Sequence, residues 1–510
     1  MENGKMNQLI TSIRKTYGSF LTSNDNPNGL DRETCIINFH YSDQSPNNTV
    51  TTEQTRTTVS THQSCTSPNS PANSAISIKD KWNFPLSLFL IVFLAGFAAY
   101  VYSLVLPEGR SDVSEGLSLS ASRELRDVGL DAYLWKKTAK SSEDIGNGWT
   151  KHTFDPQNRP TNLRGGENGD RRMAGPICIS GTPYSVFSRR GSDPSRLLIF
   201  FQGGGACWSN FYHCTVDIDG QEPSFWSSQG GVWDDNNPSN PFRTYNIVYM
   251  PYCDGSCWVG DKDVKDFAFP ARDKTGGWRY HRGLQNQSAG LNVAKTLFPD
   301  VGKITLAGSS AGGIGVSTFA PFLVRFLFGN TIELTVFNDA GPIMFNPSQE
   351  DVYLLTQYEW GYKKFIVPSC QRISYFGQFF TWAGIGNEDD APHNCHTIDL
   401  IRWRLDNDST VRDAFYETDG DTTNRFFLGL LTKQPNDEAI FRELLVNEIG
   451  TAVSAHVDRY RRFIVSGDQS HTILQTNHFY EQRVNGVLLT EWTEHFLSFS
   501  PLWKDIVGTQ

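Results

Sequence analysis

The 510-residue sequence has no excess of basic residues: 45 Lys and Arg stand against 55 Asp and Glu, a formal net charge of −10. No basic block is present to neutralise phosphates, which excludes nucleic acid as the main partner and leaves room only for a local patch. No internal repeat is visible. Charge is wholly absent from one stretch, "FPLSLFLIVFLAGFAAYVYSLVL", Phe84 to Leu106. That stretch is long enough to cross about 30 Å of hydrocarbon as a helix. Tyr100 and Tyr102 suit a membrane interface, and the position is too far into the chain for a cleaved signal peptide. Apolar residues are scarce before it. Residues 1–83 are rich in Ser, Thr and Asn, as in "SDQSPNNTVTTEQTRTTVSTHQSC". Such a segment cannot bury enough apolar surface to offset the entropy of ordering.

The expected organisation is therefore a disordered tail over 1–83, a single transmembrane helix over 84–106, a stalk or linker over 107–150, and one α/β domain over 151–510. Cysteine sets the orientation. Cys35 and Cys65 precede the span; Cys178, Cys207, Cys214, Cys253, Cys257, Cys370 and Cys395 follow it, several in close pairs. Close pairs suggest disulfides in an oxidising compartment. The tail is then cytosolic, and the domain lies in the secretory-pathway lumen or outside the cell. Proximity pairs Cys207 with Cys214 and Cys370 with Cys395. Asn286 and Asn407 open Asn-x-Ser triplets, a weak glycosylation signal that agrees.

One motif carries chemistry. In "KITLAGSSAGGIGVSTFAPFLVRFLFG" a β-branched strand, Lys303 to Ala307, meets two serines and glycines. Helical spacing then runs from Val316 to Phe328, with Gly329 as a stop. A nucleophilic serine on such a strand–helix turn needs small residues two before and two after it. Ser310 has Gly308 and Gly312 there; Ser309 would have Ala307 and Ala311, a looser fit. An oxyanion also needs donors. Upstream, the apolar strand of "RLLIFFQGGGACW" runs into three glycines, where backbone N–H groups can approach a substrate. Gly204 and Gly205, with Ala311 after the nucleophile, are the expected donors. The same glycines do not form a phosphate loop, since no G-K-[ST] follows. They do not form a dinucleotide site either, since the G-x-G-x-x-G spacing is absent.

In an α/β-hydrolase arrangement the chain order is serine, acid, histidine. The histidines after Ser310 are His393, His396, His456, His471, His478 and His495. His471 sits in a polar loop after the strand Arg461 to Val465, where this fold places its base. His478 and His495 read as helical. For the acid, position leaves Asp339, Asp419 and Asp421 open. "HNCH", His393 to His396, is not read as a zinc site, because Cys395 has a disulfide use and no second ligand pair lies near.

Five stretches in order, "GPICISGTPYSVFSRRG", "LLIFFQGGGACW", "YMPYCDGSCWVGD", "YHRG" and "GSSAGG", resemble the pectin acetylesterase/Notum family of serine esterases. The likeness covers roughly residues 165–507. It implies an α/β-hydrolase-like fold, a mostly parallel sheet flanked by helices. It implies a Ser-Asp-His triad falling on Ser310, Asp421 and His471, with Asp339 a structural acid near the site and Asn424 where the family often has Gln. By the same likeness Cys178 pairs with Cys253, and one thiol is left over. Two features depart from the family: the glycine loop reads Gly-Gly-Gly-Ala, and Cys257 sits where a non-cysteine is expected. The implied activity is removal of O-acetyl groups from a polysaccharide by acyl-enzyme chemistry, with no cofactor. The alternatives are a Notum-like fatty-acyl ester hydrolase acting on an acylated protein and a non-catalytic adhesion domain.

Overall fold

In the computed structural model the described residues are 116–134, 138–156, 175–219, 221–223, 230–271, 275–342, 358–373, 395–432 and 438–509. The tail expected over 1–83 and the span expected over 84–106 lie outside them, as does His393. Among the described residues no single helix is long and apolar enough to cross a membrane.

Ten strands form the central sheet. They are β1 (Ser141–Gly146), β2 (Trp149–Thr153), β3 (Ser185–Arg189), β4 (Asp193–Phe201), β5 (Tyr245–Met250), β6 (Lys303–Ser309), β7 (Glu333–Asp339), β8 (Arg412–Thr418), β9 (Tyr460–Val465) and β10 (Ile506–Val507). Their order across the sheet is β1-β2-β3-β5-β4-β6-β7-β8-β9-β10. From β5 to β10 every neighbour pair is parallel; β1, β2 and β3 add an antiparallel edge. The mostly parallel sheet with helices is α/β-hydrolase-like, as the sequence implies.

The strand sequences explain the layering. "LLIFF" in β4 and "YNIVYM" in β5 are continuous apolar runs, the signature of strands covered on both faces. Alternation then deals the side chains to two cores. Leu197, Ile199 and Phe201 enter one core, with residues of helices α1 (Leu119–Asp127), α2 (Gly283–Leu297), α3 (Ala311–Ser317) and α4 (Ala320–Phe328). Leu198 and Phe200 enter the other, with Trp492 and Phe496.

Three features differ from the sequence reading. The stretch expected to be a stalk, 107–150, belongs to the domain from Leu117 onward. Ser118 caps α1 by accepting the Ala121 N–H at 3.2 Å, and Ala121 and Leu125 are buried in the core. β1 and β2 then extend the sheet. β1 reads "SSEDIG" and is largely exposed, so a polar edge strand resembles a linker in sequence. Second, the helix expected over Val316–Phe328 is two helices bent by 48°. Pro321 opens α4, the position where its missing N–H is harmless. At the break Thr318 Oγ1 donates to the Ile314 carbonyl, and Arg404 donates to the Ser317 carbonyl at 2.7 Å. Third, Asn286 is no glycan acceptor in the folded domain. It is fully buried in α2, with both amide atoms bonded to the backbone of Ile177. Asn407 is half-buried, its Nδ2 donating to the Trp403 carbonyl at 2.9 Å.

The disulfides are Cys178–Cys253, Cys207–Cys214 and Cys370–Cys395, and Cys257 is the free thiol among the described residues. Cys207–Cys214 staples the hairpin Gly205–Trp208/Phe211–Cys214 that leaves the end of β4. Cys257 is buried. Desolvation first, then the charge of Asp254, pushes its thiol up, so the reactive thiolate is disfavoured.

Candidate active site

Ser310 stands between β6 and α3 with φ 56° and ψ −122°, a left-handed conformation that a serine rarely takes. Such a residue carries strain of about 1–3 kcal/mol and persists only where its surroundings over-determine it. The glycines supply that. A Cβ on Gly308 would strike the Gly312 carbonyl, one on Gly312 the Phe201 carbonyl, and one on Gly203 the backbone of Ser309. The turn is thus closed on itself and pressed against the end of β4. Ser309 points the other way: it is buried, and its Oγ donates to Asp339 Oδ2 at 2.5 Å.

The glycine loop follows β4. It is pinned by donors: Trp258 Nε1 to the Gln202 carbonyl at 3.1 Å, Thr215 N–H to the Gly204 carbonyl at 2.8 Å, and Tyr252 hydroxyl to the Gly205 carbonyl at 2.9 Å. Gly205 has φ +76°, and a Cβ there would strike the His213 carbonyl. Only glycine fits that position. Ala311, the other expected donor, is the first residue of α3, where helix N–H groups have no intrahelical acceptor.

Asp421 and His471 meet in the loops after β8 and β9. Asp421 is fully buried, and its Oδ2 lies 2.5 Å from His471 Nδ1. Its Oδ1 accepts the N–H groups of Thr423 and Asn424 at 2.8 and 2.9 Å. The two loops are stitched together: Gly420 N–H donates to Asp468 O, Thr418 Oγ1 to Ser470 O, and Gly467 N–H to Asp419 Oδ1. Among the described residues His471 Nε2 has no hydrogen-bond partner, so the ring is oriented from one side.

Asp339 has a different use. Its carbonyl accepts the Ser310 N–H at 2.8 Å, while its carboxyl accepts the N–H groups of Ile473 and Leu474. One buried residue therefore holds the Ser310 turn and the His471 loop together. Desolvation raises its carboxyl above the usual range. Asp419 is taken by Arg442. Of the other histidines, His456 faces Asp406, while His478 and His495 sit in surface pairs with Glu481 and Glu491. His396 is buried in the wall of a cavity, and burial lowers it to about 4. Cys395 is disulfide-bonded, so it is no metal thiolate.

That cavity opens beside Ser310 and has a volume of about 1060 Å³, its mouth included. Gly205, Ser310 and Ala311 form its polar edge, and its walls are apolar, with Trp208, Phe319, Trp360, Leu400, Phe427 and Phe441 prominent. Sequence reasoning missed these walls, because they come from segments far apart in the chain. It also missed Glu417, a fully buried acid four residues before Asp421. An acid closing the short apolar run Ala414–Tyr416 of a buried strand was the available signal.

A pectinacetylesterase family model matches residues 169–371, a stretch that holds Ser310 but ends before Asp421 and His471. Palmitoleoyl-protein carboxylesterase NOTUM of Schmidtea mediterranea is 34% identical over 150 residues, 27% of this chain and 27% of that protein. Palmitoleoyl-protein carboxylesterase notum1a of Danio rerio is 24% identical over 340 residues, 61% of each. The alignments thus span between 27% and 61% of the length of these two relatives.

Proposed function

The chain belongs to the pectin acetylesterase/Notum family, and from that premise we propose that it is a serine carboxylic-ester hydrolase whose acyl pocket takes an apolar chain longer than acetyl. The observation that carries this reading is the hydrogen-bonded pair Asp421–His471, tied through Asp339 to a strained Ser310 that lines an apolar cavity. His471 Nε2 takes the Ser310 Oγ proton as Oγ attacks the ester carbonyl. Backbone donors at Gly204, Gly205 and Ala311 stabilise the oxyanion. The protonated imidazole gives its proton to the leaving alcohol, leaving the acyl group on Ser310. Water, deprotonated by His471, then releases the acid and regenerates the serine. Asp421 holds the imidazole in the tautomer that presents Nε2.

The name of the relatives, palmitoleoyl-protein carboxylesterase, supports a fatty-acyl substrate. The pectinacetylesterase match supports the second reading, a polysaccharide O-acetylesterase. Esters of p-nitrophenol from acetate to palmitate separate the two. Each methylene buried in the cavity contributes up to about 0.8 kcal/mol, roughly fourfold in kcat/KM. A rise of at least about 100-fold from acetate to octanoate is expected. A profile that peaks at acetate and falls with length would establish the acetylesterase instead.

We infer that the site lies on the far side of a membrane from the tail. Three disulfides in the domain support an oxidising compartment, and the uncharged stretch 84–106 supports anchoring through one helix. In sealed microsomes the domain is expected to survive added protease while the tail is digested. The reverse pattern would invert the orientation.

A further inference from the structure

β8 brings a second acid to the site. Glu417 is fully buried, and one residue, Asn424, bonds both carboxyls, its N–H to Asp421 Oδ1 and its Nδ2 to Glu417 Oε2, with the Asp421 carboxyl close enough to act on Glu417. Glu417 Oε1 accepts the Thr418 N–H at 2.9 Å, and Oε2 accepts Asn424 Nδ2 at 2.7 Å. The same Asn424 nitrogen donates to the Ala340 carbonyl at 2.9 Å, next to Asp339. The nearby arginines are committed elsewhere, Arg442 to Asp419 and Arg425 to Glu438.

Two carboxyls in contact and out of water do not both ionise. The donors decide which one keeps the proton. Asp421 receives two backbone N–H groups and the His471 ring nitrogen, while Glu417 receives one backbone N–H and one side-chain amide. Asp421 is the better-served acceptor of the two. Burial first, then the neighbouring Asp421 charge, pushes the Glu417 carboxyl well above the usual range.

We propose that Glu417 is a positioning residue of the catalytic site: as the neutral acid it donates its O–H to Asp421, fixing the carboxylate that orients His471. This rests on the serine-hydrolase reading above. Without the donor, a fully buried carboxylate loses a charge-assisted bond, and only the two backbone N–H bonds to Oδ1 are left to set Oδ2 against Nδ1. The other groups facing this cluster are Asp339 at the end of β7, the Tyr416 phenol on β8 and Asp468 in the histidine loop.

The test compares Glu417→Gln and Glu417→Leu in the full chain, using the best p-nitrophenyl ester and a melting curve to establish folding. Glutamine keeps a neutral donor. Its kcat is expected within about threefold of wild type, with the acidic limb of the kcat/KM profile unmoved. Leucine removes the donor, and kcat is expected to fall about 10–100-fold at nearly constant KM. Two results overturn the proposal. One is an acidic limb moved down by about one unit or more in Glu417→Gln, which means a negative charge was removed. The other is a folded Glu417→Leu with wild-type kcat. If the leucine variant does not fold, the limb in Glu417→Gln decides. Failure of the hydrolase reading looks different: wild type itself shows no Ser310-dependent turnover. The downfield Nδ1 proton resonance of His471 then still reports the cluster, unchanged in Glu417→Gln if Glu417 is a neutral donor and displaced if it is an anion.

Discussion

Ser310→Ala is expected to lower kcat by about 10⁶-fold, the loss seen when the nucleophile of a serine protease is removed. The melting temperature should stay the same or rise. Ser310 has a positive φ, and alanine bears the same backbone strain, so no stability is lost through the turn. The side chain is only partly buried, and among the described residues its Oγ makes no hydrogen bond that the fold depends on. Ser309→Ala should behave in the opposite way. Its Oγ donates to Asp339 Oδ2 inside the protein, so removal leaves a buried carboxyl short of a donor, at about 1–3 kcal/mol. Turnover per folded molecule should survive. Circular dichroism melts and steady-state ester hydrolysis on both variants make the comparison. A Ser310→Ala protein with near-wild-type turnover, or an inactive but folded Ser309→Ala, would move the nucleophile.

Much of this site was legible because the turn is dictated by local sterics. Gly308, Ser310 and Gly312 are the only spacing in "GSSAGG" that lets the chain close on itself, and the same rule read from the sequence governs the structure. The glycine loop was legible for a similar reason: Gly205 can have no Cβ. Loop histidines and acids carry no such local constraint. His471 was singled out by its place after a late strand, and the acid remained one of three until family likeness favoured Asp421. Hydrogen bonds between segments 48 to 134 residues apart in the chain give Asp421, Asp419 and Asp339 different partners. The cavity beside Ser310 was not legible at all. Trp208, Phe319, Trp360 and Phe441 look like core residues in sequence, and only the fold shows that they face a space. The edge strand β1 was missed for the opposite reason, since its polar residues suit an exposed rim as well as a linker.

Asp421→Asn is expected to fold normally and to lose about 10⁴-fold in kcat, the effect of the same change in a serine-protease triad. The loss comes from the tautomer. An asparagine placing its NH₂ toward Nδ1 makes that nitrogen an acceptor and puts the ring proton on Nε2, where it cannot receive the serine proton. Folding should be spared, because asparagine keeps an oxygen to accept the Thr423 and Asn424 N–H groups at the start of the helix Thr422–Thr432. Asp339→Asn should reverse the balance. Three donors converge on its carboxyl, Ser309 Oγ and the N–H groups of Ile473 and Leu474, and an NH₂ in their midst opposes at least one of them. The expected loss is about 1–3 kcal/mol of stability, with turnover per folded molecule within about tenfold of wild type. Differential unfolding curves and active-site titration with a p-nitrophenyl ester burst separate stability from chemistry. A fully active Asp421→Asn beside a folded but inactive Asp339→Asn would make Asp339 the triad acid. The present geometry argues for the other outcome, because it is Asp421, and not Asp339, whose oxygen lies 2.5 Å from His471 Nδ1.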